Sequence, residues 1–262
     1  MLRTRIWTAL VLLPALLLAI GFAPAWLFSS IIAILTGWGL YEVAAMTSVR
    51  STIDFAALVS AGFLPAAAVW IAPGAFEWLP ALVFLGMSAL MMMVGIYGGA
   101  AASSYRRLLV VSGAIYVGAT FPYFALLRNR EDGVALTIFI LLLVVAADSA
   151  AYFVGRSIGR HKLAAQISPN KTIEGAIGGL AGSIVAGLIL WQILIARWSC
   201  GNVLVIAIVI SVLAQAGDLI GSTFKRATGV KDSGWIFPGH GGLLDRTCSL
   251  VFAVAFTYYY SR

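Results

Sequence analysis

The chain has 262 residues, of which 61% are hydrophobic and only 10% charged, with a formal net charge of +7 and a mean hydropathy of +0.99. Soluble domains hold roughly 45–50% apolar residues, so this composition excludes a water-soluble globular protein and puts most of the chain in lipid. The basic excess could suit nucleic acid, but the Lys and Arg residues hug the ends of apolar runs, where they meet anionic headgroups, and no nucleic-acid partner is expected.

A helix needs about 20 apolar residues to cross the hydrocarbon core, and only helices or closed barrels satisfy their backbone groups there. The apolar runs are continuous and lack strand-like alternation, which selects helices. Nine spans are predicted: Ile6–Phe28, Ser29–Met46, Phe55–Ile71, Leu79–Ile96, Leu108–Leu127, Val134–Gly155, Ile173–Ala196, Val203–Ser222 and Leu243–Tyr260. The first two join through Pro24. Arg3, Arg5 and the Ala23–Ala25 triplet resemble a signal peptide, but eight more spans follow, so the first is expected to be retained. The expected fold is all-α and polytopic: one integral membrane domain over residues 1–262, with hydrophobic helices in 1–130 and the polar motifs in 131–262.

With the N-terminus inside, inner segments hold Arg3, Arg5, Arg50, Arg106, Arg107, Arg156, Arg160, Lys162, Lys171, Lys225, Arg226, Lys231 and Arg246, thirteen of the 17 basic residues. Arg128, Arg130, Arg197 and Arg262 fall outside. Cytoplasmic loops carry the basic excess, so both long polar loops are expected in the cytoplasm. Cys200 and Cys248 then lie on opposite sides and should not pair.

Two acids interrupt the later spans, Asp148 in LLLVVAADSAAYFVG and Asp218 in VLAQAGDLIGS. Asp148 precedes Arg156 by eight residues and Asp218 precedes Lys225 by seven, which at 1.5 Å per residue sets each carboxylate about 10–12 Å below its basic loop. A charge at such depth costs about 2.5–3.5 kcal/mol unless it faces protein, water or a counter-ion. A shared depth below two basic loops predicts a polar cavity open to the cytoplasm. In the first loop, GRSIGRHKLAAQISPNKTIEG, Ser168, Lys171 and Thr172 offer donors for phosphate. SPNKT alone also reads as a helix cap followed by a first turn.

The second loop is denser. From Gly217 to Arg246 the chain carries Asp218, Asp232 and Asp245, the bases Lys225, Arg226, Lys231 and Arg246, and His240 among glycines. Carboxylates beside bases suit a divalent cation bound with a phosphate ester, because Mg²⁺ takes one or two carboxylates plus substrate phosphates. Arg and Lys would hold the remaining phosphate charge. Zinc is disfavoured, since His240 has no nearby second His or paired Cys. His240 could donate to phosphate, act as an acid, or stabilise a turn, and the residues leave these open.

The run STFKRATGVKDSGWIFPGHGGLLDRT resembles the signature of the phosphatidate cytidylyltransferase (CDP-diacylglycerol synthase) family, from Ser222 through Lys225-Arg226, Lys231-Asp232, Pro238, His240-Gly241-Gly242 and Asp245-Arg246. DSAAYFVGRSIGRHKL and SPNKTIEG resemble upstream segments of that family in the same order. The likeness covers roughly the C-terminal half. It implies a dimeric bacterial inner-membrane enzyme of phospholipid biosynthesis, active at the cytoplasmic face, that turns CTP and phosphatidic acid into CDP-diacylglycerol and pyrophosphate. By the same resemblance Asp218 and Asp245 bind Mg²⁺, with room for a second cation, and rank with Lys225 and Asp232 as catalytic. Ser168, Lys171, Thr172, Ser222, Arg226, Lys231, His240, Arg246 and Asp148 contact substrate.

One position departs: the signature expects an Asp three residues after Asp245, where this chain has Cys248, a soft donor poorly suited to Mg²⁺. That keeps a second expectation in view, a relative that binds lipid or nucleotide without turnover. A transporter is a third, disfavoured because the polar residues gather at one face and in one half rather than in repeated halves. A polyprenol kinase would not account for the long signature.

Overall fold

A computed structural model describes residues 2–97, 102–239 and 241–262. In chain order the elements are α1 (Leu2–Phe22), α2 (Ala25–Met46), α3 (Thr52–Ile71), α4 (Leu79–Tyr97), α5 (Ala102–Thr120), α6 (Pro122–Arg128), α7 (Gly133–Ile158), β1 (Lys162–Ala164), β2 (Ser168–Thr172), α8 (Ile173–Leu194), α9 (Cys200–Ala227), α10 (Leu244–Thr247) and α11 (Val251–Tyr260). Seven helical stretches among the described residues are long and apolar enough to cross a membrane, and two shorter apolar ones, Leu13–Phe22 and Val251–Tyr260, stand where the first and ninth spans are expected. Large side chains such as Ile34, Phe63, Phe153, Ile177, Ile189 and Ile193 are exposed on the outside. So broad an apolar exterior is a lipid-facing surface, and the protein is a polytopic helical membrane protein.

Prolines set two of the corners. Pro24, in extended conformation between α1 and α2, cannot continue the first helix and turns the chain back. The fifth span is interrupted rather than straight: Pro122 opens α6 and lacks the amide that would bond the carbonyl one turn before it. At this end Arg128 is buried; it donates to the carbonyls of Ile20, at 2.9 Å, and Ala23 and lies over the Phe28 ring. One guanidinium therefore ties the α1–α2 corner to the end of α6, through carbonyls that have no helical partner.

The ninth span also differs from the single helix expected. It breaks into α10 and α11 around Cys248–Leu250, because the start of α10 is held by side chains from other elements. The loop before α8 differs too: it forms an antiparallel hairpin, Lys162 opposite Thr172 and Ala164 opposite Ser168. SPNKT is thus a strand, and only its last residue caps the helix, Thr172 Oγ1 accepting from Gly175 N at 3.1 Å.

Helices α7 and α8 pack with backbones close together. A Cβ on Gly175 would stand 2.8 Å from the carbonyl oxygen of Ala151, and one on Gly178 2.6 Å from the Val154 side chain. Small residues permit such an approach where lipid supplies no hydrophobic drive for helix association. The main core joins the two halves of the chain, with Val43, Val110 and Val117 against Ile220, Phe224, Leu244 and Phe252.

Candidate active site

Close α7–α8 packing and the short hairpin bring three elements to one place. α7 contributes Asp148, Tyr152 and Arg156, β2 contributes Asn170 and Lys171, and α9 contributes Gln215 and Asp218 to a cavity of about 470 Å³. Lys171 Nζ lies 2.7 Å from Asp218 Oδ2. Asp148, which lines the same cavity, has no hydrogen bond or ion pair among the described residues. Tyr152 and its neighbour Phe153 are exposed on the lipid-facing side of α7, and Arg156 donates to the Tyr152 hydroxyl at 2.8 Å. The cavity is therefore acidic at its base, basic above, and bordered on one side by the apolar surface.

The hairpin is held where Lys171 can reach the cavity. Glu174, in the first turn of α8, accepts from the amides of Arg160 and His161 and sits 2.6 Å from His161 Nδ1. Ile173 N donates back to His161 O. Ser168 starts β2 at the far end of the pairing and does not line the cavity. Thr172 is buried and spends its oxygen on the α8 cap.

A second cluster lies deeper. Asp245 Oδ1 takes Lys225 Nζ at 2.5 Å, while Oδ2 accepts from Ser233 N at 2.8 Å and Gly242 N at 2.9 Å, with Ser233 Oγ at 3.1 Å. The Asp245 side chain is only 4% exposed and that of Lys225 17%. Its oxygens are committed to protein donors. Asp218 and Asp245 thus occupy different settings, one on an open wall and one in a sealed knot. Cys248 stands between them, its thiol 3.6 Å from Asp218 Oδ1 and 3.9 Å from the Asp245 carbonyl.

The remaining expected residues spread around these two clusters. Arg226 is exposed and donates to Val230 O at 3.2 Å. Lys231, Asp232 and Arg246 are exposed, and none of them forms an ion pair among the described residues. Ser222 is half-buried on α9. His240 lies outside the described residues.

Sequence reasoning missed Glu42. This acid of α2 is 2% exposed, and its carboxyl accepts from Trp38 Nε1, Ser233 Oγ and the amides of Leu243 and Leu244. The signal was present, since GWGLYEVAAM places an acid inside an apolar span just as Asp148 and Asp218 do. Except for Trp38, its partners lie 191 to 202 residues away, beyond the reach of local pattern. Gly234 and Gly242 make room for this carboxyl.

No group of three or more His, Cys, Asp or Glu side chains is arranged to hold a metal among the described residues. Mg²⁺ does not need one, because it commonly binds through one or two carboxylates and completes its sphere with substrate phosphates and water. Asp148 and Asp218 line one cavity together with Asn170 and Gln215, and oxygen donors of this kind suit a hard cation once Lys171 yields its hold on Asp218.

Residues 3–262 match the cytidylyltransferase family. The chain belongs to that family. A phosphatidate cytidylyltransferase of Staphylococcus epidermidis is 35% identical over 254 residues, covering 96% of this chain and 94% of the relative. One from Bacillus subtilis is 41% identical over 151 residues, 57% of this chain and 56% of the other. One from Brucella suis is 44% identical over 148 residues, 56% and 54%. Family membership accordingly extends through the N-terminal helices, beyond the half where the motifs could be read.

Proposed function

We propose that this cytidylyltransferase joins the cytidylyl group of CTP to phosphatidic acid, giving CDP-diacylglycerol and pyrophosphate. The observation that carries the reading is the cavity with Asp148 and Asp218 at its base, Lys171 and Arg156 above, and the lipid-facing Tyr152 at its edge. Relatives of nearly full-length similarity bear the name phosphatidate cytidylyltransferase, which supports the same substrates.

In the reaction an oxygen of the phosphatidate monoester attacks the α-phosphorus of CTP. The bond from that phosphorus to the bridging oxygen breaks, and pyrophosphate leaves with the electron pair. An ionised monoester is already a nucleophile, so the protein's work is positioning and charge stabilisation. Lys171 is held by Asp218 until a phosphate arrives to compete for its ammonium. Arg156, with Tyr152, is placed to receive a headgroup from the bilayer side while the acyl chains stay among the exposed apolar residues of α7. The Lys225–Asp245 pair fixes the end of α9 next to the cavity, and the exposed Arg226, Lys231 and Arg246 supply positive charge for triphosphate.

A bound Mg²⁺ would neutralise phosphate charge in the cavity. Asp218, seconded by Asp148, is the carboxylate best placed to hold it. Asp245, the other expected ligand, would reach a cation only by surrendering Lys225 and its amide donors. The basic loops argue for a site on the cytoplasmic side of the membrane, the bacterial source of the relatives supports an inner membrane, and a homodimer as the working unit is proposed from the family resemblance alone.

Binding without turnover is the second reading, favoured by Cys248 alone. The deciding experiment is release of labelled CDP-diacylglycerol from CTP and phosphatidic acid in mixed micelles, with and without Mg²⁺. Mg²⁺-dependent product supports transfer. Tight CTP binding with no product from folded protein would select the second reading.

A further inference from the structure

Glu42 is costly where it stands. A carboxyl buried in an apolar helix is tolerated only when donors satisfy it, and an apolar side chain of similar size would be easier to bury. Four donors meet it: Leu243 N at 2.7 Å and Trp38 Nε1 at 3.1 Å on Oε1, Ser233 Oγ at 2.8 Å and Leu244 N at 3.0 Å on Oε2. Three of the four belong to the loop that carries Asp245. Its backbone is shaped around the same group, because a Cβ on Gly234 would stand 2.7 Å from Oε1 and one on Gly242 2.6 Å from both oxygens. Ser233 Oγ also lies 3.1 Å from Asp245 Oδ2, so one hydroxyl bridges the two carboxyls.

We propose that Glu42 is a positioning residue for the transfer reaction: from α2 it holds the Ser233–Leu244 loop in the register that keeps Asp245 on Lys225. The proposal rests on the cytidylyltransferase reading above. Glu42 faces neither the open cavity nor solvent, so it acts through the loop and not on a substrate. Its role assigns a task to the N-terminal helices, which otherwise carry no part of the site. The loop ends that it steadies present Lys231, Asp232 and Arg246 to the surface.

The test is Glu42→Gln in the full chain, purified in detergent and assayed with CTP and phosphatidic acid beside the unsubstituted protein. Gln keeps the volume and one acceptor but turns an NH₂ towards two of the four donors. The expected kcat is about 100-fold lower, the loss produced by a misplacement near 1 Å, while KM for CTP moves less than about threefold. Retention of full kcat by Gln would mean that Glu42 only fills space, and overturns the proposal. A readout independent of turnover is trypsin cleavage after the exposed Lys231, expected to be about tenfold faster in the variant with helicity unchanged; an unchanged cleavage rate also overturns it. Should Glu42→Gln fail to fold, Ser233→Ala removes the bridging hydroxyl alone and should lower kcat about tenfold, full kcat again counting against the proposal. If the unsubstituted protein makes no product while Glu42→Gln still loosens the loop, the transferase reading falls and the hold of Glu42 on the loop is upheld.

Discussion

Asp218 and Asp245 flank one cysteine and belong to one sequence motif, yet they live in opposite surroundings. Asp218 stands on an open wall with Lys171 as its ion-pair partner and a half-exposed side chain. Asp245 is sealed among Lys225, two amides and the Ser233 hydroxyl. A carboxyl whose oxygens are all engaged is part of the scaffold, because releasing it strands every donor it served. One held by an ammonium and a weak thiol contact is free to change partners when substrate or cation arrives. Acids of one polar segment can therefore divide into exchangeable and committed carboxyls.

Asp218→Asn gives the largest effect expected on activity. CDP-diacylglycerol formation should fall by about 10²–10³-fold, with the detergent-solubilised protein remaining monodisperse and its melting temperature little changed. A variant with normal turnover would remove Asp218 from the chemistry. Asp245→Asn should behave differently, lowering stability along with activity. Breaking a buried pair leaves Lys225 uncompensated and costs about 3–5 kcal/mol, read as a large drop in melting temperature. If Asp245→Asn is inactive but as stable as the parent, the division between wall and knot is wrong.

Cys248→Asp sharpens the boundary between the two regions. The thiol lies 3.6 Å from Asp218, so the substitution sets a further carboxylate beside the open wall. Affinity for Mg²⁺ rises with ligand charge, and the Mg²⁺ concentration for half-maximal activity should fall about tenfold. A titration with the same midpoint for both proteins would show that position 248 does not face the cation. The smallest effect belongs to the Arg197–Asp132 ion pair, exposed and remote from both regions. Arg197→Ala should cost less than about 1 kcal/mol and leave transfer untouched, so a marked loss of rate would reveal long-range coupling.

Much of this was legible because lipid makes charge conspicuous. Asp148 and Asp218 stand out in apolar runs, and similar spacings of eight and seven residues to the next basic residue already predict a shared depth. The hairpin was hidden, since the three residues Lys162–Ala164 and the five of Ser168–Thr172 are too few for strand periodicity to register. The breaks at Pro122 and after Thr247 have different origins: the first is local proline chemistry, the second a consequence of distant contacts.

Composition, apolar run length and the polar signature were enough to determine a polytopic helical membrane protein of the cytidylyltransferase family, because solvent preference and motif identity are properties of residues in order along the chain. Which acids are free and which are spent was decided by the tertiary structure alone. Satisfaction of a carboxyl depends on donors brought from elsewhere, and the donors of Glu42 and Asp245 come from segments that meet only after the helices have packed.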